Sequence, residues 1–154
     1  SRVQPNGVDV GVENVERISG TATFDEDGYD KPSRTKLEMK EHPDREGPYW
    51  RLSPGQYELT YDVAFEIPEG HVGRMYPRSR VMRSALHLTS ALWDQGYEGV
   101  GKGLLRVPKS VYPVSIAENA TLAQFTLIEA ARAEEAYNGV HQHEGLDDAA
   151  VIES

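Results

Sequence analysis

The sequence predicts an all-β domain with little helix, built as a sandwich, a jelly roll or a barrel. Several short segments alternate apolar and polar residues, turn-forming residues separate these segments, and few stretches have a helical pattern. Alternation with a period of two places one face of a strand on the core and the other towards solvent. Many short strands joined by regular turns are typical of antiparallel β folds.

The strongest strand prediction covers residues 56–67, which lie between two turn sequences that contain proline and glycine. Apolar side chains occupy every second position of this segment: Tyr57, Leu59, Tyr61, Val63, Phe65 and Ile67. In chain order, the other predicted strands are residues 20–24, 72–76, 104–107, 111–116 and 123–128. Residues 4–11 are predicted as a turn followed by a strand.

Little of the chain is predicted to be helical. Residues 80–86 are compatible with one or two turns, because their apolar side chains cluster on one side. Residues 129–137 have a helix-favouring composition but are short for an independent helix. Residues 31–51 are polar and contain Pro32, Pro43 and Pro48, so we expect a surface excursion there.

We expect one β domain over residues 1–138, followed by a flexible acidic segment over residues 139–154. That segment has few large apolar residues and carries Glu144, Asp147, Asp148 and Glu153. Segments of this composition either stay disordered or close over a ligand.

Composition excludes several classes of function. The 154 residues carry a formal net charge of −9, which argues against a general binder of nucleic acid or of anionic membranes. The absence of cysteine excludes disulfides, zinc–thiolate sites, iron–sulfur clusters and cysteine nucleophiles. No apolar run approaches the ~20 residues of a membrane-spanning helix. We therefore expect a cytoplasmic protein.

Residues 73–83 concentrate four arginines in an acidic chain: Arg74, Arg78, Arg80 and Arg83. A guanidinium group binds phosphate or carboxylate oxygens through two parallel hydrogen bonds, so the cluster is a candidate anion clamp. The alternative is a set of surface arginines paired with the abundant acidic side chains. Composition favours neither.

Residues 93–101 place Asp94 and Tyr97 in a glycine-rich stretch, where a backbone can approach a ligand closely. The alternative is a hairpin turn that Asp94 caps. Asp9 lies beside turn residues in a similar way. His141, His143 and Glu144 have the side-chain chemistry of a transition-metal site, but solvated tail residues are the favoured interpretation. Ser79 lacks the sequence context of a hydrolase nucleophile, and no phosphate-binding Gly-Lys loop is present.

Taken in order, five short motifs resemble those of the deoxyuridine triphosphatase and deoxycytidine triphosphate deaminase superfamily, and in particular the archaeal-type dUTP nucleotidohydrolases. The resemblance runs from about residue 4 to residue 145. The matching segments are Gln4-Pro5-Asn6-Gly7-Val8-Asp9, Pro77-Arg78-Ser79 with Arg83, Ala91-Leu92-Trp93-Asp94-Gln95-Gly96-Tyr97-Glu98-Gly99, Leu122-Ala123-Gln124-Phe125 and Tyr137-Asn138-Gly139-Val140-His141-Gln142.

The resemblance implies a distorted jelly-roll-like β-barrel of the dUTPase type, assembled as a homotrimer with active sites at the subunit interfaces. It also implies hydrolysis of dUTP to dUMP and pyrophosphate with Mg²⁺, a reaction that keeps uracil out of DNA and supplies dUMP.

Residue roles follow from the resemblance as well. It implies that Asp94 is the general base, that Tyr97 packs against the deoxyribose, and that Gly96 belongs to the backbone facing the uracil edge. Asp9 would orient waters of the Mg²⁺ shell. The implied phosphate-binding residues are Arg78, Ser79, Arg80 and Arg83, and the residues that help to close the site are Gln124, Tyr137 and Gln142.

The deaminase branch of this superfamily needs a glutamate on the strand after the third motif. Counted from Asp94, that position is Leu104, whose side chain cannot transfer a proton. The sequence therefore favours hydrolysis at phosphorus. The alternatives are a dCTP deaminase-like enzyme and a catalytically weakened trimer that binds nucleotides or regulates.

Overall fold

The computed structural model describes residues 1–133, 137, 139, 141–146 and 150–152, which form fourteen strands and one short helix, α1 (Ser79–Arg83). In chain order the strands are β1 (Val3–Gln4), β2 (Gly7–Ser19), β3 (Thr23–Asp25), β4 (Gly28–Asp30), β5 (Ser33–Lys36), β6 (Lys40–Glu41), β7 (Pro48–Leu52), β8 (Gly55–Glu66), β9 (His71–Pro77), β10 (His87–Thr89), β11 (Glu98–Val107), β12 (Val114–Ala117), β13 (Thr121–Glu129) and β14 (Ala150–Ile152).

The main sheet curls into a nearly closed barrel. Its strands follow the order β10-β11-β8-β2-β13-β9, and β9 returns beside β10. Next to this contact, Gly73 of β9 forms an antiparallel bridge to Trp93. The all-β, barrel-like fold expected from the sequence is therefore confirmed.

β8 confirms the strand predicted over residues 56–67, and it lies between β2 and β11 in this sheet. Alternate side chains of β8 point into the core, and none is more than 8% exposed: Tyr57, Leu59, Tyr61, Val63 and Phe65. Each such side chain contributes about 1.5–3 kcal/mol of burial free energy. The polar face of β8 is left to line the outside of the barrel.

The expectation of a surface excursion over residues 31–51 is wrong in part. β5 pairs with β2, and β7 pairs with β6 and β12 in a small separate sheet. Trp50 and Leu52 of β7 are 3% and 0% exposed and belong to the core. Proline and charge mark where this segment turns, but a few apolar side chains are enough to anchor it.

Several predicted boundaries shift. Residues 20–22 are not in a strand, and β3 forms an exposed hairpin with β4. β11 begins at Glu98, earlier than predicted, while β12 begins only at Val114. α1 confirms the predicted short helix. Residues 130–133 are irregular, and 134–136 lie outside the described residues.

The described part of the predicted acidic tail contacts the barrel. Residues 141–146 form turns against β11, and β14 runs parallel to β8 beside Val63, Ala64 and Phe65. Asp147, Asp148 and Glu153 lie outside the described residues. Among the helical residues that the structure describes, none forms a helix long and apolar enough to cross a membrane.

Candidate active site

The residues singled out in the sequence fall into two groups on the folded chain. One group, which we call the Asp94 cluster, contains Asp94, Gly96, Tyr97, Tyr137 and Gln142. The other, the Arg78 cluster, contains Asp9, Arg78 and Gln124, with Ser79, Arg80 and Arg83 on the adjacent α1.

A tight turn presents Asp94 to solvent. Trp93 exchanges two main-chain hydrogen bonds with Gly73, of 2.8 and 3.0 Å, and its ring is buried. The turn closes when the Tyr97 N–H donates to the main-chain carbonyl of Asp94, at 3.0 Å. Gly96 has a φ of 85°, which favours glycine. The carbonyl of Asp94, rather than its carboxylate, thus closes this turn.

Tyr97 forms a buried aromatic wall next to Asp94. Its side chain is 8% exposed, and its ring packs against Trp93 and, edge-on, against Tyr137. Burial raises the pKa of its phenol far above the usual range, and the nearby Glu144 carboxylate adds to the shift. The phenol therefore stays neutral, and it donates a hydrogen bond to the Val100 carbonyl at 3.3 Å.

Gln142 joins the chain segment after Tyr137 to the turn that carries Asp94. Its side-chain amide donates to the carbonyls of Gly96 and Tyr137, both at 2.9 Å. Its side-chain oxygen accepts from the Glu98 N–H at 2.7 Å. These three bonds hold residues 141–146 over the start of β11.

A pocket of about 460 Å³ opens beside Asp94, within the size range of small-molecule sites. Its lining comes from the outer face of the main sheet, from the segment that carries Asp94, and from the β3–β4 hairpin with the residues that follow it. The lining residues are Glu16, Tyr29, Lys31, Arg34, Glu58, Ala91, Leu92, Trp93, Asp94, Tyr97, Gly101, Lys102, Tyr137, His141 and Glu144.

Sequence reasoning missed Glu16, Tyr29, Lys31, Arg34 and Glu58. They come from strands or turns that are distant in sequence from Asp94, and only sheet pairing brings them together. Lys102 was missed too, although its alternation with buried residues of β11 is a usable signal of an outward-facing position.

The Arg78 cluster lies at the other end of β9 and is held by polar contacts. Asp9 is 4% exposed, and its carboxylate accepts hydrogen bonds from the side-chain amides of Gln4 and Gln124, at 3.2 and 3.4 Å. The Arg78 guanidinium lies 3.4 Å from the same carboxylate and donates to the side chain of Thr121. Sheet pairing explains the grouping, because Gln124 stands opposite Asp9 on neighbouring strands.

The side chains of α1 that the sequence analysis selected are exposed beside this cluster. Arg78 occupies the N-cap position of α1 without a side-chain cap bond. Val81 is the helix residue that is buried against the barrel. Ser79, Arg80 and Arg83 consequently face solvent.

The two clusters are far apart within one chain. Asp94 follows the bridge at Gly73, near the start of β9, whereas Arg78 follows the end of β9. A strand advances about 3.3 Å per residue, so roughly 15–20 Å separate the two positions. Within the described chain, the length of β9 therefore keeps Asp94 and Arg78 apart.

The candidate metal ligands are dispersed in the same way. His141 lies 3.8 Å from Glu144, and His143 lies 3.6 Å from Glu98, so the two imidazoles have different carboxylate neighbours. Over the described residues, no three side chains of the types that bind metals are grouped together. Asp9 is likewise a single carboxylate.

Comparisons with known proteins agree on one family. The model of the dCTP deaminase-like family matches residues 1–130. A relative from Halobacterium salinarum, named probable deoxyuridine 5'-triphosphate nucleotidohydrolase, is 38% identical over 95% of this chain and 86% of its own. A relative of the same name from Aeropyrum pernix is 31% identical over 94% of this chain and 87% of its own.

A relative from Methanocaldococcus jannaschii, named deoxyuridine 5'-triphosphate nucleotidohydrolase, is 28% identical over 92% of this chain and 87% of its own. Among solved structures, the fold is similar to that of 2'-deoxycytidine 5'-triphosphate deaminase from Agrobacterium tumefaciens. The TM-score is 0.61 at 13% identity, over 84% of this chain. This chain spans 41% of the length of that deaminase chain.

Proposed function

Because the chain belongs to the dCTP deaminase-like family, we propose that it is a dUTP diphosphatase, which hydrolyses dUTP to dUMP and pyrophosphate. The observation that carries the proposal is the turn that presents an exposed Asp94 beside the buried ring of Tyr97, at the mouth of a nucleotide-sized pocket. Relatives that align with 92% to 95% of this chain bear the name of that activity.

Asp94 is the general base of the proposed reaction. Its carboxylate takes a proton from a water molecule, the water oxygen attacks the α-phosphorus, and the bond from that phosphorus to the α–β bridging oxygen breaks. Pyrophosphate leaves with the electron pair of the broken bond. The geometry supports this role because the main-chain carbonyl of Asp94 closes the turn, so the turn does not require its carboxylate.

Tyr97 selects deoxyribose in this proposal. A ring that is 8% exposed and packed between Trp93 and Tyr137 cannot move aside for an added hydroxyl. A 2'-hydroxyl on the sugar would overlap this ring, so ribonucleotides are excluded by steric repulsion.

Leu104 favours hydrolysis at phosphorus over deamination. It stands at the position where a deaminase needs its glutamate, and it lies directly opposite Glu58 on β8. Glu58 does not replace that glutamate, because its carboxylate already accepts two hydrogen bonds from the Arg34 guanidinium, at 2.9 and 3.1 Å.

Arg78, Ser79, Arg80 and Arg83 bind the phosphates in our proposal, and they come from a neighbouring subunit. The separation of roughly 15–20 Å between the two clusters supports this, because one chain supplies only half of a complete site. A closed homotrimer gives every site one Asp94 cluster and one Arg78 cluster.

Mg²⁺ is the cofactor that we propose, and Asp9 suits an indirect role towards it. Mg²⁺ keeps several waters and uses few protein carboxylates beside substrate phosphates. Asp9 is one such carboxylate, already oriented by Gln4 and Gln124. When bound, the ion would neutralise charge on the phosphates. Asp9 would accept hydrogen bonds from its waters, and Arg78 would remain beside it.

The segment of residues 139–154 closes over the triphosphate in this proposal. Gln142 already ties it to the turn of Asp94, and Tyr137 adds an aromatic edge against Tyr97. Gln124 contributes from the partner half of the site, next to Asp9.

One assay tests the function. The protein is incubated with each deoxynucleoside triphosphate and Mg²⁺, and pyrophosphate and ammonia are both measured. We expect pyrophosphate from dUTP and no ammonia from dCTP. Ammonia released at a comparable rate would contradict the proposal, and nucleotide binding without pyrophosphate release would favour a binding or regulatory protein.

A further inference from the structure

One wall of the pocket carries positive charge that the five sequence motifs do not account for. This wall follows the β3–β4 hairpin and continues into β5, and it brings Tyr29, Lys31 and Arg34 to the pocket. The ring of Tyr29 is stacked on that of Phe24, so an aromatic pair forms the body of the hairpin.

Arg34 connects this wall of the pocket to β8 of the main sheet. Its guanidinium donates to the Glu58 carboxylate on β8 and to the Pro32 carbonyl, the latter at 2.6 Å. β5 is also paired with β2, where Arg34 stands opposite Ile18. The side-chain bonds of Arg34 and the main-chain pairing of β5 therefore both hold the backbone that follows Lys31.

Lys31 differs from the other cations of the pocket in its partners. Arg34 and Lys102 share one acidic neighbour, Glu58, at 2.9 and 4.0 Å. Lys102 also donates to Thr60 at 3.1 Å. Within the described residues, Lys31 has no carboxylate within ion-pair distance, although its side chain lines the same pocket as Asp94.

We propose that Lys31 binds a phosphate group of the nucleotide whose α-phosphorus faces Asp94 of the same chain. An ammonium without a carboxylate partner, on a wall that is held in place, suits a ligand with several negative charges. The inference rests on the proposed function and adds a phosphate contact from the chain that supplies the general base. Arg78 and its neighbours supply the contacts from the partner subunit.

Three variants test the role of the charge. We expect Lys31→Gln to raise the KM for dUTP by about tenfold, the size of one charged hydrogen bond, and to weaken its dependence on salt concentration. Lys31→Arg should restore most of the affinity. Lys109→Gln makes the same charge change in an exposed loop outside this pocket, and it should match the wild type.

Binding of deoxyuridine separates a phosphate contact from a change in the shape of the pocket. The nucleoside has no phosphate, so its inhibition constant should be the same for wild type and Lys31→Gln. Equal weakening of deoxyuridine and dUTP would overturn the assignment to phosphate. Wild-type KM in Lys31→Gln would overturn the role of Lys31 altogether.

These outcomes are distinguishable from failure of the proposed function. If the wild type releases pyrophosphate from dUTP and Lys31→Gln does so with the same KM, only the inference about Lys31 is wrong. If calorimetry shows that the wild type does not bind dUTP, both the proposed function and the inference about Lys31 are wrong.

Discussion

The guanidinium of Arg78 lies 3.4 Å from the carboxylate of Asp9, at the end of β9 that is far from Asp94. Thr121 accepts a further hydrogen bond from the same guanidinium. Arg78 is thus oriented as a positive group next to the carboxylate for which we propose a role towards a hydrated metal ion. It is not oriented towards Asp94, the proposed general base, of its own chain. This arrangement supports our proposal that the site is shared between subunits.

Mixing two inactive variants tests the shared site. Asp94→Asn removes the base from one set of chains, and Arg78→Gln removes the phosphate contact from the other. After subunit exchange of an equal mixture, about one quarter of the sites in random trimers contain both native residues. We therefore expect about a quarter of the wild-type rate of pyrophosphate release. A mixture as inactive as its parents would show that each site lies within one chain.

Asp94→Asn by itself should lower the rate of hydrolysis about 10²–10⁴-fold and leave the affinity for dUTP nearly unchanged. The amide has the same size as the carboxylate but cannot accept the proton. Single-turnover hydrolysis and calorimetric binding measure the two effects.

The melting temperature of Asp94→Asn is the second readout. The main-chain carbonyl of Asp94 closes its turn, and its side chain is exposed, so we expect no loss of stability. Asp44→Asn, in another exposed loop, serves as the control. A lower melting temperature with a near-native rate would mean that Asp94 is a structural residue.

Tyr97 should determine the preference for dUTP over UTP. Tyr97→Phe keeps the buried ring and loses only the hydrogen bond to Val100, so we expect the preference to remain. Tyr97→Leu removes the ring plane and should reduce the preference by about 10- to 100-fold. The ratio of kcat/KM values for the two nucleotides is the measurement. Equal preference in both variants would place the sugar elsewhere.

Gln142 should control how firmly the segment of residues 141–146 is held. Gln142→Ala loses three hydrogen bonds, and Gln142→Glu keeps only the acceptor for the Glu98 N–H while facing two carbonyls. We expect faster proteolysis after Tyr137 and a KM for dUTP about tenfold higher in both variants. Gln56→Ala, at an exposed residue of β8 outside this segment, is the control. A native KM in both variants would exclude closure by this residue.

Tyr61 has a buried hydroxyl with no hydrogen-bond partner among the described residues. Leaving such a group unpaired costs about 1–3 kcal/mol, so Tyr61→Phe should raise the free energy of unfolding by an amount in that range. Tyr112→Phe changes an exposed phenol and should have no effect. Denaturant unfolding of both variants provides the comparison, and a destabilised Tyr61→Phe would contradict the assignment.

The same residue makes a prediction about pH. Burial raises the pKa of the Tyr61 phenol in the folded state, so the folded chain retains this proton more tightly than the unfolded chain. The contribution of this protonated phenol to the free energy of unfolding is fully present below about pH 10 and falls as the pH rises above it. Tyr61→Phe should flatten this alkaline loss. An unchanged slope would show that other groups cause it.

The fold was predictable from the sequence where a residue's environment follows from its neighbours along the chain. β8 alternates because each side chain points away from the one before it, and this local geometry appears directly in the residue order. Trp50 and Leu52 were not predictable in the same way. Their burial depends on the partner strand β12, which is distant in the chain.

The candidate site shows the same difference between features that neighbouring residues determine and features that strand pairing determines. Motifs in the residue order predicted Asp94, Gly96 and Tyr97 as candidates, and the three lie in one contiguous turn that contains a positive-φ glycine. Only the tertiary structure decided that Lys31, Arg34 and Glu58 share the pocket with Asp94, and that Arg78 lies near Asp9 instead. The physical reason is that strand pairing brings together groups that sequence separation keeps apart, and side-chain chemistry by itself does not specify which strands pair.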